Sequence, residues 1–402
     1  MLNVVIIVVA LGLAGYFAFS KRLAGSNEWQ ATLTPLASIM GSGFLISAPL
    51  LGGLVGSSAV FCMAVLLAVA YAVGEVIRFN IRHFEPIENN GHGAAQSVAF
   101  LSRMVLAGAY FISVTYYLQL LAAFLLNAIH VRSQFAENTV TTVLLVVIGG
   151  VGTWRGLGML ERLEKYAVAL NLGMIAALLV ALAVHNSQLA MAGSWHLPDM
   201  QVDFNVHSIR VLLGLLIVVQ GFETSRYLGE EHPADLRIVT MRNSQLISAA
   251  IYVVFIALAT VLMSSKLGTD VTAVVNMTQP VALVLPFLIS IAAIGSQFSA
   301  AVADEEGAGG LIEDLTGSRL PVRYAYQIIM AITIALTWAT DVNRIIAYAS
   351  RAFALYYLLQ CVVAVVVAWQ QSDLPKRKTY LAGFSTVGVL CLLVFAFGLP
   401  AE

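Results

Sequence analysis

Two short stretches of this sequence have the residue types to build a site from backbone. The first is Gly41-Ser42-Gly43-Phe44, inside the apolar run WQATLTPLASIMGSGFLISAPLL from Trp29 to Leu51. The second is Gln220-Gly221-Phe222-Glu223, inside IRVLLGLLIVVQGFETSRYLGEE from Ile209. Glycine disfavours a helix interior by about 1 kcal/mol relative to alanine. An unpaired backbone group in hydrocarbon costs several kcal/mol. A break in such a run therefore persists only where protein, water or a ligand takes the freed N–H and C=O groups. Gly41 lies twelve residues beyond Trp29, and Gly221 twelve beyond Ile209. That is roughly 18 Å of helix in each case, about halfway across a ~30 Å core. Taken alone, Gly41-Ser42-Gly43 also suits a close-packing patch for a neighbouring helix. The matching depth of the two breaks favours a binding site.

Glu223 adds a charge at that depth, and ionisable residues inside a membrane are functional candidates by default. Arg226 lies three positions on, where it can pair with Glu223 along one helix face. Such a pair holds a half-helix, or takes part in proton coupling; the sequence leaves both open.

The elements that must position these groups are membrane helices. The chain of 402 residues is 59% hydrophobic and 11% charged, against about a quarter charged in soluble domains. Mean hydropathy is +0.86. The fold class expected is an all-α polytopic membrane protein with about twelve transmembrane helices. A formal net charge of −1 gives no field for nucleic acid. Cys62, Cys361 and Cys391 lie in separate apolar runs, with neither a disulfide framework nor a zinc spacing. HExxH, P-loop and GxSxG patterns are missing, so neither an enzyme nor a cofactor is expected.

Residues 2–20 form a first apolar segment followed by Lys21-Arg22, the reverse of a secretory signal, whose charge precedes its apolar run. Further spans fall near 30–51, 55–79, 99–129, 138–153, 160–184, 208–230, 243–264, 281–303, 322–339, 342–368 and 380–398. With both termini outside the cytoplasmic (inner) membrane, sixteen of the 21 Lys and Arg residues fall in inside loops, as positive-inside topology requires. The remaining five are Arg132, Arg210, Lys266, Arg344 and Arg351. Trp29, Trp154, Trp338 and Trp369 fall at span ends, where an interfacial belt forms.

The two interrupted helices start five spans apart and so run in opposite directions, as in an inverted-repeat transporter. The domains expected are an extra N-terminal helix and linker (1–28), a first repeat (29–185), a second repeat (208–368) and a C-terminal helix (369–402). Gly41-Ser42-Gly43-Phe44 resembles the Gly-Ser/Ala-Gly-Ile-Phe signature of the amino acid–polyamine–organocation superfamily, whose members share the leucine-transporter fold. Gly221-Phe222-Glu223, followed by Gly229-Glu230-Glu231-His232-Pro233, resembles that family's sixth-helix pattern and the acidic loop after it. Gly74-Glu75 and Leu320-Pro321 resemble its second helix and the approach to its ninth. The extra N-terminal helix and the short chain depart from the family's usual form.

The resemblance implies a five-plus-five inverted-repeat core with broken first and sixth helices. It implies a substrate carboxylate on the N–H groups at Gly41, Ser42, Gly43 and Phe44, and an amine on the carbonyls at Gln220 and Gly221. Helix N-termini favour anions, so the chemistry agrees. Phe222 becomes an aromatic lid or ordinary packing. Tyr110, Tyr116 and Tyr117, on the third core helix, line the pocket or pack. Ser296 and Ser299, on the eighth, mark a cation-coupling region, with sodium near Ser299. Ala300 cannot coordinate, and no lysine stands at Asn171–Gly173, where proton-coupled relatives carry one. Neither coupling signature is complete, so proton and sodium both remain. Asp304 is a titrating carboxylate below the site or a residue of the cytoplasmic mouth, whereas Glu305 and Glu306 are expected at the mouth. Arg351, roughly 10 Å deeper than Arg344 along its helix, gates against an acidic residue, attracts an anion, or snorkels to the interface. The function expected is a secondary transporter for an amino acid or small amine, coupled to a cation or working by exchange. A solute sensor of the same fold and a channel are the alternatives. The partners expected are a small-molecule substrate, a proton or sodium ion and the lipid bilayer.

Overall fold

The computed structural model describes residues 2–88, 93–198, 205–229, 232–264 and 270–400, with the side chains at 24, 42 and 158–165 left out. The hydroxyl of Ser42, the acidic-loop residues Glu230 and Glu231, and Lys266 therefore lie outside the described residues. Among those described, every regular element is a helix.

The uncharged α1 (Leu2–Phe19) is joined by the one-turn α2 (Lys21–Ala24) to α3 (Asn27–Val55). Ser26 fixes the start of α3, its hydroxyl accepting the Trp29 N–H at 3.2 Å as an N-cap does. Then come α4 (Ala59–His83), α5 (Ala94–Ala128), α6 (Gln134–Arg155) and α7 (Gly158–Met191). The next segment is fragmented into α8 (Val206–Gly214), a 3-10 turn at Leu216–Val219 and the one-turn α9 (Thr224–Tyr227). The chain closes with α10 (Ala234–Ala259), the short α11 (Ala273–Thr278), α12 (Leu285–Leu315), α13 (Val322–Ala339), α14 (Val342–Gln370) and α15 (Arg377–Phe397).

Ten described stretches are long and apolar enough to cross a membrane, and one of them, Asn27–His83, is α3 and α4 run together. Counting those two apart and adding the fragmented α8–α9 segment recovers the twelve expected spans. α5 runs through the centre, packed against both α12 and α14. The extra helix α1 lies along α7, the fifth core helix. Gly173 permits that approach, since a Cβ there would stand 2.5 Å from the Ala10 carbonyl oxygen. At its other end Phe17 stacks on Trp29 with centroids 5.7 Å apart.

One expectation is corrected. The first core helix is not broken: α3 continues through Gly41-Ser42-Gly43-Phe44 and past Pro49 without interruption. About 1 kcal/mol per glycine does not outweigh several kcal/mol for each backbone group left unpaired in hydrocarbon. The glycines serve close packing instead. A Cβ on Gly43 would lie 2.6 Å from Val218 Cα, and one on Gly41 would lie 3.2 Å from Ser296 Oγ. The packing-patch reading of this motif is the one the structure bears out.

Candidate functional site

The sixth core helix is broken where the sequence placed the break. Several backbone groups freed between Gly214 and Thr224 find side chains from other helices. Ser350 Oγ accepts the Ile217 N–H at 2.9 Å and donates to the Gly214 carbonyl at 2.7 Å. Tyr252 OH donates to the Val218 carbonyl at 2.5 Å. Gln220 Nε2 donates to Tyr117 OH at 3.0 Å. Gly221 has φ +117°, open to glycine and rare for any other residue. A Cβ there would also stand 2.7 Å from the Ser38 carbonyl carbon, so this position requires glycine twice over.

Glu223 closes the break from below. Its Oε2 accepts the Gly221 N–H at 3.0 Å and the Tyr357 OH at 2.8 Å. The residue is 1% exposed, and among the described residues no Lys, Arg or His nitrogen lies within 4.0 Å of its carboxylate. The expected partner Arg226 turns elsewhere. Its Nη1 donates to Gln360 Oε1, and its Nη2 stands 3.5 Å from Glu88 Oε2. Glu223 is the residue before the one-turn α9, and Arg226 on that turn reaches acceptors on α14 and in the α4–α5 turn instead. Phe222 is buried, its ring stacked on Tyr357 at 5.5 Å.

Beside the break, α3, α7, α9 and α12 enclose a cavity of about 40 Å³. Its polar lining comes from Thr34, Ser38, Asn171, Thr224, Ser296, Ser299 and Asp304. Asp304 is buried and accepts a hydrogen bond from Ser113 Oγ. The structure thus brings together Ser296, Ser299 and Asp304, and it places Asp304 at the site rather than at the mouth. Glu305 departs from its expected place as well. It is 1% exposed, with Oε2 lacking a partner among the described residues; the next residue, Glu306, is exposed. Consecutive helix positions point about 100° apart, so three acidic residues in a row cannot share one aqueous face.

Tyr110, Tyr116 and Tyr117 are all buried on α5. Tyr117 reaches the break through Gln220, and Tyr116 lies against Tyr117 with centroids 5.0 Å apart. Tyr110 lines a larger recess of about 590 Å³, together with Arg226, Tyr227, Glu88 and the ion pair Arg103–Asp314 at 2.6 Å. Among the described residues Arg351 pairs with no carboxylate. Its Nε donates to the Phe395 carbonyl at 2.7 Å, tying α14 to the C-terminal helix. The site residues missed in the sequence are Tyr252, Gln297, Ser350 and Tyr357. Each is a polar group inside an apolar run, which is the only signal the sequence carries for it.

A family model described as "APC superfamily transporter" matches residues 21–398. A protein of Aquifex aeolicus (strain VF5), described as uncharacterized, is 40% identical over 394 residues, covering 96% of this chain and 94% of its own. Among solved structures, two mutant forms of the Eremococcus coleocola manganese transporter superpose with TM-score 0.60 at 12% identity. Each alignment covers 92% of this chain and 87% of theirs. At that identity the likeness speaks to the fold, and the fold is the all-helical, leucine-transporter-like one expected.

Proposed function

The chain belongs to the APC superfamily of transporters, and we propose that it moves an amino acid or a related small amine by alternating access. A transporter family accords with the expectation of a non-enzyme, and it implies a small-molecule substrate and a lipid bilayer. The observation that carries the amine is Glu223. It is a buried carboxylate at an unwound helix centre, oriented by two donors and, among the described residues, without a cationic side chain beside it. An ammonium group is the chemistry that completes such a carboxylate in low dielectric. Manganese, the cargo named for the structurally similar transporter, finds less support in this donor set. Among the described residues no three His, Cys, Asp or Glu side chains gather to hold a metal ion. The reading includes repeats at 29–185 and 208–368, the extra helix and linker at 1–28 and the C-terminal helix at 369–402. It also places both termini outside the inner membrane. Asn3→Cys should accordingly react with an impermeant maleimide on intact cells, and reaction only after permeabilisation would reverse the topology.

For coupling we favour the cavity at Asp304. Its volume exceeds the roughly 10–15 Å³ that one water needs, and its lining of hydroxyls and one carboxylate suits a small hard cation or a proton. Uptake of radiolabelled amino acids and of their decarboxylated amines into proteoliposomes tests the function. Accumulation under an imposed proton or sodium gradient is the expected result. Exchange that ignores every gradient would remove the coupling, and binding without transport would leave a sensor. Asp304→Asn should abolish gradient-driven accumulation while leaving counterflow of preloaded substrate measurable. Equal loss of both would assign Asp304 to substrate binding instead.

A further inference from the structure

The extra helix α1 is anchored along one core helix and reaches a second through a single ring. Its approach to α7 is so close that Gly173 leaves no room for a side chain. A Cβ there would stand 2.5 Å from the Ala10 carbonyl oxygen and 2.8 Å from the Ala14 nitrogen. Lipid tails are as apolar as α1, so packing rather than the hydrophobic effect holds the two helices together. In the last turn of α1, Phe19 adds a ring contact to Tyr166 of α7, with centroids 6.0 Å apart. Two positions earlier, Phe17 stacks on Trp29 of α3 at an interplanar angle of 11°. The link from α1 to α3 is short and capped twice. Ser20 Oγ accepts the Leu23 N–H, and Ser26 Oγ accepts the Trp29 N–H.

The same two core helices wall the cavity of Asp304. Thr34 and Ser38 line it from α3, and Val168 and Asn171 line it from α7. Thr34 is exposed, whereas Ser38, one turn further in, is half-buried, which puts the mouth of the cavity at Thr34. That residue lies five positions beyond Trp29, roughly 7.5 Å along the helix. Asn171 and Gly173 are two positions apart, about 200° around their helix, so α7 turns one face to the cavity and the opposite face to α1. Among the described residues α3 and α7 hardly pack on one another. We propose that α1 is a strap across this gap. It moves with α7 as one body, and the Phe17–Trp29 stack is the latch that keeps the start of α3 against that body and the cavity shut at Thr34. Parting two stacked rings breaks no backbone hydrogen bond, whereas parting α1 from α7 undoes a packed interface, so the latch yields first. Phe17 and Gly173 act here as positioning residues, neither of them lining the cavity. The strap stands on the position of the cavity and does not depend on the transport reading above.

Thiol labelling of the purified full-length protein reads the latch. Ala303 lines the cavity from a third helix, α12. Ala303→Cys therefore places a thiol in a space of about 40 Å³, too small for a charged methanethiosulfonate reagent until the cavity opens. Cys62, Cys361 and Cys391 are buried free thiols and serve as internal controls, with each labelled site assigned by mass spectrometry. Phe17→Ala should speed labelling at position 303 about twofold to tenfold, the equivalent of about 0.5–1.5 kcal/mol for an aromatic pair. Phe17→Leu, which keeps an apolar side chain and removes the stack, carries the same test if the alanine variant does not fold. Gly173→Ala attacks the anchor instead of the latch. It drives a Cβ against the backbone of α1 while raising the helix preference of α7, and it should speed the same reaction. The three native thiols should stay unreacted throughout. Unchanged labelling at position 303 in either kind of folded variant would overturn the strap, and so would a rise shared by all four thiols, which marks general loosening. Uptake assayed beside the labelling keeps the two readings apart. Faster labelling without transport of any substrate would count against the transport reading and leave the strap standing.

Discussion

Gly43→Leu is expected to yield no stable, monodisperse protein. A Cβ at that position falls 2.6 Å from Val218 Cα, a backbone atom, and 2.5 Å from its Cβ. Overpacking a core typically costs about 1–3 kcal/mol when flexible side chains give way. Val218 cannot give way so easily. Its carbonyl is held by Tyr252 at 2.5 Å, and Ser350 holds the neighbouring Ile217 N–H and the Gly214 carbonyl. The larger side chain must therefore push α3 off the unwound segment or break that set of bonds. The measurement is thermal unfolding and size-exclusion behaviour in detergent, with Gly41→Ala as the control expected to fold like wild type. A monodisperse Gly43→Leu protein with unchanged melting would show that α3 does not contact the break at Val218.

The same pair of residues shows how far the sequence could be read. Glycines in an apolar run mark a place where the backbone is either broken or closely approached, and the run itself does not say which. The outcome depends on what lies across from it. Between Gly214 and Thr224 the groups released by the break are met by Ser350, Tyr252, Thr224 and Glu223's own carboxylate. At Gly41–Gly43 the partners across the gap are Ser296, Ala300 and Val218, and a closed helix packs against them. Three of those four side chains come from outside the motif or from distant helices, so local spacing could not reveal them.

Span count and the break position in the sixth core helix were legible, because hydropathy and helical period act locally. Pairings across the bundle were not. The i,i+3 spacing offers Arg226 to Glu223, but Gln360, 134 residues away in sequence, takes it. The depth of Arg351 suits a gate, and its donation to the Phe395 carbonyl instead fastens α15. Charged groups at membrane depth must find partners, and the nearest in sequence is only one of the choices the fold offers.

Glu223→Gln should leave the fold intact and raise the substrate KM by about tenfold to a hundredfold. A hydrogen bond to a charged group contributes about 1.5–3 kcal/mol, and each 1.4 kcal/mol is a factor of ten in affinity. The substitution keeps the side chain's length and one oxygen, which can still accept from the Gly221 N–H or the Tyr357 hydroxyl. What it removes is the negative charge opposite a substrate ammonium. Tyr357→Phe separates this from a merely structural role. Loss of that hydroxyl leaves the carboxylate charged and held by Gly221, so its KM should rise far less than that of Glu223→Gln. If Glu223 served only to cap the unwound segment, the order would change: both variants would melt earlier, and whatever protein survived would transport with wild-type KM. Concentration-dependent uptake in proteoliposomes, measured beside thermal unfolding of the same preparations, distinguishes the two. A folded Glu223→Gln protein with wild-type KM would place the amine elsewhere. The buried Asp304, which accepts from Ser113 and lines the same cavity as Thr224, would then be the next carboxylate to test.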